Sequence, residues 1–167
     1  MPDAPTIKTK DKDMLRQFVV GGGVSVCNIA IHALVMTIIV RVARSIGMKT
    51  TLSPSLLLIA MMSSTVAVLM VTHAVEVAVW ALAYLIFDVA PPGAGLVYFA
   101  FVNYTTLGYG DIIPGERWQL LGPMTAMNGV LLFGWSTAVI FEVLRKTIEQ
   151  NATMMSARER KLGGRRH

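Results

Sequence analysis

The chain has 167 residues, 54% of them hydrophobic and only 15% charged. A soluble domain carries about a quarter charged residues, so composition excludes an ordinary soluble domain, and the length allows one domain. The net charge of +5 does not point to nucleic acid, because the basic residues flank apolar runs as topogenic charges do.

Residues 18–40 contain no Asp, Glu, Lys or Arg, residues 54–87 contain only Glu76, and residues 118–141 contain none. Each run exceeds the ~20 residues that cross a bilayer as a helix. The expected fold class is therefore an all-α membrane protein with three transmembrane helices. Cys27 is the one cysteine, so no intrachain disulfide is possible. Its place in an apolar run reads as small-residue packing. No Cys-x-x-Cys or His-x-x-x-His spacing marks a metal site, and no cluster of nucleophile, base and acid marks an enzyme.

Residues 1–17 form a polar tail of mixed charge, with Pro2 and Pro5 opposing an early helix. The first transmembrane helix is expected over 18–44. The apolar run is too long for a cleavable signal and reads as an uncleaved span. Gly21-Gly22-Gly23 permits close helix approach. Ser25, Asn28 and His32 share a face, either as a helix contact or as a polar or proton track. Arg41 and Arg44 are three apart, as in a voltage sensor, but two arginines at a helix end, with Lys49, read as cytoplasmic anchors.

Ser53-Pro54 opens the second span with a capping residue and a first-turn proline. The outer helix is expected over 54–87, which at 1.5 Å per residue is about 50 Å long. It must tilt and protrude, or break near Ser63-Ser64-Thr65. His73, Glu76 and Trp80 share one face. An ionisable residue in an apolar span is a functional candidate until a partner explains it. Either Glu76 braces the structure, with His73 or a group on the next helix as partner, or His73 and Glu76 form a pH-sensitive control.

Residues 88–95 form a turn around Pro91-Pro92-Gly93. A helix over 95–105 is too short to span. It carries the aromatics Tyr98, Phe99, Phe101 and Tyr104, and Asn103 as a polar group able to hydrogen-bond behind the stretch that follows. The stretch Thr105-Thr106-Leu107-Gly108-Tyr109-Gly110-Asp111 follows. Its glycines allow backbone conformations closed to other residues. A chain alternating such conformations turns successive carbonyl oxygens to one side. The inner helix is expected over 118–146, with Gly122-Pro123 in its first turns and Gly129 and Gly134 near its middle. Glu142 either lines an inner mouth or pairs with Arg145 or Lys146. Residues 147–167 form a basic tail suited to anionic lipid, with a possible amphipathic continuation of the helix.

Thr106 to Asp111 closely resembles the selectivity filter of the potassium channel superfamily, whose signature is Thr-x-Gly-Tyr-Gly-Asp, with Leu107 where valine is commoner. The resemblance implies a pore module over 54–146, with a re-entrant pore helix at 95–105 and a filter at 106–111. It implies K⁺ sites formed by the carbonyls of Thr106, Leu107, Gly108 and Tyr109 and the Thr106 hydroxyl. It also implies that Asp111 holds the filter's outer end, with Thr105, Gly110, Asn103 and Glu76 in support. Gly134 or Gly129 is then a gating hinge, unless these glycines serve close packing, and His73 and Glu142 are further gating candidates.

One filter per chain implies a homotetramer in the lipid bilayer, with K⁺ as the transported ion and no cofactor. The resemblance puts the filter at the outer face of a cell (inner) membrane. The C-terminus is then cytoplasmic and the N-terminus outside if the first helix crosses. Ten of the fifteen basic residues lie inside in that arrangement, in accord with the positive-inside rule. A first helix lying in the interface would reverse the N-terminus. The expected function is a passive K⁺-selective channel. The alternatives are a less selective cation channel or the pore subunit of a regulated K⁺ uptake system, and a non-conducting scaffold is opposed by the intact glycines.

Overall fold

The computed structural model describes residues 7–46 and 53–163. Lys49, Arg165 and Arg166 lie outside the described residues, as do the side chains of Lys8, Lys10, Arg44, Arg158, Arg160 and Lys161. Helix α1 spans Ile7–Ile46, α2 Pro54–Ile86, α3 Leu96–Tyr104 and α4 Leu121–Gly163, with a 3-10 turn at Glu116–Trp118 before α4. The described residues contain no strand. Three stretches are long and apolar enough to cross a membrane: Asp11–Ala43, Ser55–Ile86 and Glu116–Thr153.

One boundary differs from the sequence reading, and two open alternatives are decided. Helix α1 begins inside the polar tail, at Ile7 rather than residue 18. Within the stretch read as a tail, Arg16 lies over the Trp118 ring at 5.0 Å, and Gln17 Oε1 accepts the Leu120 N–H at 2.7 Å. That acceptor satisfies an orphan donor at the start of α4. Helix α2 does not break at Ser63-Ser64-Thr65. The Ser64 and Thr65 hydroxyls both donate to the Met61 carbonyl, at 3.1 and 2.8 Å, so these polar groups are satisfied within the helix. Helix α4 continues past residue 146 to Gly163. Ion pairs at helical spacing, Glu142 with Lys146 and Arg145 with Glu149, each at 2.8 Å, span that junction.

The ends of α2 follow from local chemistry. Leu57 N–H bonds the Ser53 carbonyl at 2.9 Å, with Pro54 in the first turn. At the other end Val89 N–H reaches the Tyr84 carbonyl at 3.0 Å and Asp88 N–H the Leu85 carbonyl at 3.4 Å. Asp88 has φ 52°. This is a Schellman ending, with an aspartate in the left-handed position more often taken by glycine. Val89, just beyond it, is fully buried. A turn closed by Ala94 N–H on the Pro91 carbonyl, with Gly93 at φ 83°, then leads into α3.

The chain divides into two compact units, Met1–His32 with Thr72–Gly134, and Ala33–Val71 with Trp135–His167. The first unit contains α3 and the loop after it. Its core joins Val77, Trp80, Ala81, Tyr84, Phe99, Ala100, Tyr104, Leu121 and Leu132. In the second unit Met36, Ile39, Ala43, Leu57, Met61, Leu69, Val139 and Val143 pack together. Cys27 is exposed rather than packed, on the face of α1 that also exposes Val26. Of the three consecutive glycines, only Gly21 meets a neighbour: a Cβ there would lie 2.6 Å from the Met124 sulfur, whereas Gly22 and Gly23 face open space.

Candidate functional site

The loop after α3 starts from a tightly closed helix end. Thr105 N–H bonds the Phe101 carbonyl at 2.9 Å, Thr106 N–H the Asn103 carbonyl at 3.0 Å, and Leu107 N–H the Val102 carbonyl at 2.9 Å. From there the backbone takes positive φ at every second residue: Thr106 at 60°, Gly108 at 61° and Gly110 at 75°. Leu107 and Tyr109 between them do not. Glycine adopts this region at little cost. A β-branched threonine does not, and a residue held there stores strain of about 1–3 kcal/mol, which is typical of functional segments. Alternation of this kind turns consecutive carbonyls toward one side of the strand. Every residue from Thr105 to Asp111 is exposed in the single chain, and Tyr109 is 68% exposed. An open cleft of about 370 Å³ runs alongside, lined in part by Asn103, Thr106, Gly108, Gly110, Ile113 and Pro114.

Asp111, at the end of the loop, accepts the Tyr98 hydroxyl at 2.8 Å, which ties the loop back to the start of α3. The bond to the carboxylate pushes the Tyr98 phenol above its ordinary value.

Behind α3, one face of α2 presents polar groups at successive turns, which between them meet α1, α3 and α4. Glu76 is fully buried. Its Oε1 lies 2.8 Å from His32 Nδ1 on α1, and its Oε2 lies 2.9 Å from His73 Nδ1 and 2.5 Å from the donating Tyr104 hydroxyl on α3. His73 Nδ1 is also 3.0 Å from that hydroxyl. Asn28 Nδ2 donates to the Glu76 carbonyl and to Asn128 Oδ1, both at 3.2 Å. Trp80 Nε1 donates to Asn128 Oδ1 at 3.0 Å. One turn further, the Tyr84 hydroxyl shares a 2.7 Å bond with Thr125 and accepts from Asn103 Nδ2 at 3.2 Å. Tyr104, where several bonds converge, is the last residue of α3 before the loop.

The face of His73, Glu76 and Trp80 is thus as periodicity predicted. Asn28 and His32 are a helix contact with the same residue, Asn28 at the Glu76 backbone carbonyl and His32 at its carboxylate. The His32–Glu76 pair was not foreseen, nor were Tyr84, Thr125 and Asn128. The missed signal lay in the polar spacing itself: Tyr84 continues the His73–Glu76–Trp80 series by one turn. Glu142 resolves to ion pairs with Arg145 at 2.9 Å and Lys146 at 2.8 Å. Gly129 has a packing requirement of its own, since a Cβ there would lie 2.0 Å from the Tyr104 carbonyl oxygen. Gly134 is exposed, and a Cβ there would meet nothing within 4 Å.

A helical membrane protein with a short non-spanning helix, a glycine-alternating loop and a third span behind it has the architecture of a pore-forming protein. The model of the ion channel family matches residues 56–146, more than half of the chain, and the chain belongs to that family. No curated protein and no solved structure matches it.

Proposed function

We propose that the chain assembles as a homotetramer into a K⁺-selective channel that passes potassium passively across a cell membrane. The observation that carries this reading is the alternation of positive φ at Thr106, Gly108 and Gly110 within Thr-Leu-Gly-Tyr-Gly-Asp. Four such strands around an axis stack rings of carbonyl oxygens from Thr106, Leu107, Gly108 and Tyr109 that replace the hydration shell of K⁺. The helix α3 then acts as the pore helix.

Exposure of the whole loop supports assembly. Non-helical backbone at membrane depth is tolerated only where protein or a water-filled cavity surrounds it, and a single chain leaves this loop bare. The Arg16–Trp118 and Gln17–Leu120 contacts bring the start of α1 beside the start of α4. This supports an N-terminus on the same side as the loop, hence outside, with a cytoplasmic C-terminus. The basic end of α4 would then meet anionic lipid of the inner leaflet. Gly134 is the better hinge candidate for gating, because nothing packs on it, whereas Gly129 is held by a backbone contact.

The reading is tested by the reversal potential of the purified protein in planar bilayers, with K⁺ on one side and Na⁺ on the other. Reversal near the K⁺ equilibrium potential is expected. A macroscopic current reversing near zero would replace it with a nonselective cation channel.

A further inference from the structure

The strongest feature outside the loop is the cluster behind α3. Three polar atoms converge on one fully buried carboxylate: His32 Nδ1, His73 Nδ1 and the donating Tyr104 hydroxyl. A carboxylate offers acceptors only, and each imidazole nitrogen donates or accepts according to its tautomer. A lone negative charge in an apolar interior is costly unless a cation faces it. Residues 18–40, 54–87, 89–110 and 118–141 contain no Lys or Arg. No fixed cation of these stretches can therefore neutralise Glu76, whereas a bound cation would.

The ligand set suits such a cation. His32, His73 and Glu76 each offer a ligand atom, and all three lie within 4.8 Å of one another. Two imidazoles and a carboxylate are a zinc-type set, with ligand bonds of about 2.0–2.2 Å in tetrahedral geometry. Tetrahedral bonds of that length set ligand atoms about 3.3 Å apart. The two Nδ1 atoms now lie 2.8 and 2.9 Å from the carboxylate oxygens, so entry of an ion needs each contact to open by roughly half an ångström. The Tyr104 hydroxyl or a water completes the fourth position. Phe133 of α4 packs edge-on against both His73 and Tyr104, with ring centroids at 4.8 and 5.3 Å, and supplies an apolar wall.

We infer that His32, His73 and Glu76 form a binding site for a divalent transition-metal cation of the zinc class. The ion pins α1 to α2 directly behind Tyr104, and so bears on the conformation of the loop that starts at Thr105. Binding requires the Nδ1 lone pairs, so each imidazole carries its proton on Nε2 when the ion is present. The two histidines come from different helices, which is why no His-x-x-x-His spacing announces the site.

The test is metal content, a readout that does not depend on conduction. Tag-free protein in detergent is equilibrated with Zn²⁺ or Co²⁺, freed of excess by gel filtration, and analysed by elemental analysis. The Co²⁺ form is read by its visible absorption. The wild type is expected to retain one ion per chain, with the intense band of a tetrahedral Co²⁺ site. His73→Gln and His32→Gln are expected to weaken retention at least about a hundredfold, the upper end of what even an outer-shell change costs. Cys27→Ser retains the ion, which removes the thiol as its source. A wild type that keeps no ion overturns the inference without recourse to any variant. Equal retention in wild type and His73→Gln, both eluting as the same oligomer, overturns it as well.

Discussion

The two compact units are built from the same three long helices, yet their interiors differ in polar content. In the first, Asn28, His32, Glu76, Thr125 and Asn128 are all buried, Trp80 and Tyr104 turn their polar tips to Asn128 and Glu76, and Tyr84 turns its hydroxyl to Thr125. In the second, the core is Met, Ile, Leu, Val and Ala, and two of its buried hydroxyls, Thr65 and Thr147, bond back to their own helices at 2.8 Å. Between membrane helices no hydrophobic drive distinguishes a neighbour from lipid, so association rests on packing and on interhelical hydrogen bonds. Apolar packing tolerates exchange. A hydrogen-bond network holds one geometry, because each donor left without a partner is penalised. The unit that carries the loop is the one held by directional bonds.

Changes in the loop and at its closest backbone contact have the largest expected effect. Gly108→Ala puts a Cβ on a residue at φ 61°, and K⁺ conduction or selectivity is expected to be lost. A normal K⁺ reversal potential in that variant would remove the carbonyl-ring reading. Gly129→Ala brings a Cβ 2.0 Å from the Tyr104 carbonyl oxygen. Backbone must shift, at a cost of about 1–3 kcal/mol or more, seen as a lower melting temperature of the assembled protein. Gly134→Ala, with open space around it, should leave that temperature nearly unchanged. If the two glycine variants melt alike, the packing role of Gly129 is refuted.

Next in size is Glu76→Gln. It removes the charge that gathers His32, His73 and Tyr104, and a buried group left mispaired costs about 1–3 kcal/mol. Faster loss of current during sustained opening is the expected signature. Unchanged kinetics and melting would reduce the network to packing. In the second unit, Met61→Leu keeps volume and polarity and should cost less than about 1.5 kcal/mol, with selectivity intact. A large effect there would erase the contrast between the units.

The smallest effect concerns the outer end of the loop. The Tyr98 bond to Asp111 requires the protonated phenol, whose ionisation is raised by that bond. The contribution is complete below the ordinary tyrosine value of about 10 and disappears as pH rises through the raised value. Current stability should therefore fall only at strongly alkaline pH, and Tyr98→Phe should be insensitive there. The same alkaline decline in Tyr98→Phe would assign it to another group.

Sequence alone determined the membrane class, the three spans, the short helix, the start of α2 and the loop that resembles a filter. Each rests on local rules: the absence of charge over a bilayer's length, a capping residue before proline, and a glycine pattern with one backbone use. It also placed His73, Glu76 and Trp80 on one face, since helical periodicity is local. Tertiary structure decided what those residues meet. His32 reaches Glu76 across 44 positions and Asn28 reaches Asn128 across 100, and no spacing rule connects residues on different helices. It likewise decided that Gly129 packs while Gly134 stands free, and that the loop's positive φ angles include a threonine. These depend on which backbone lies opposite, and that is a property of the folded chain.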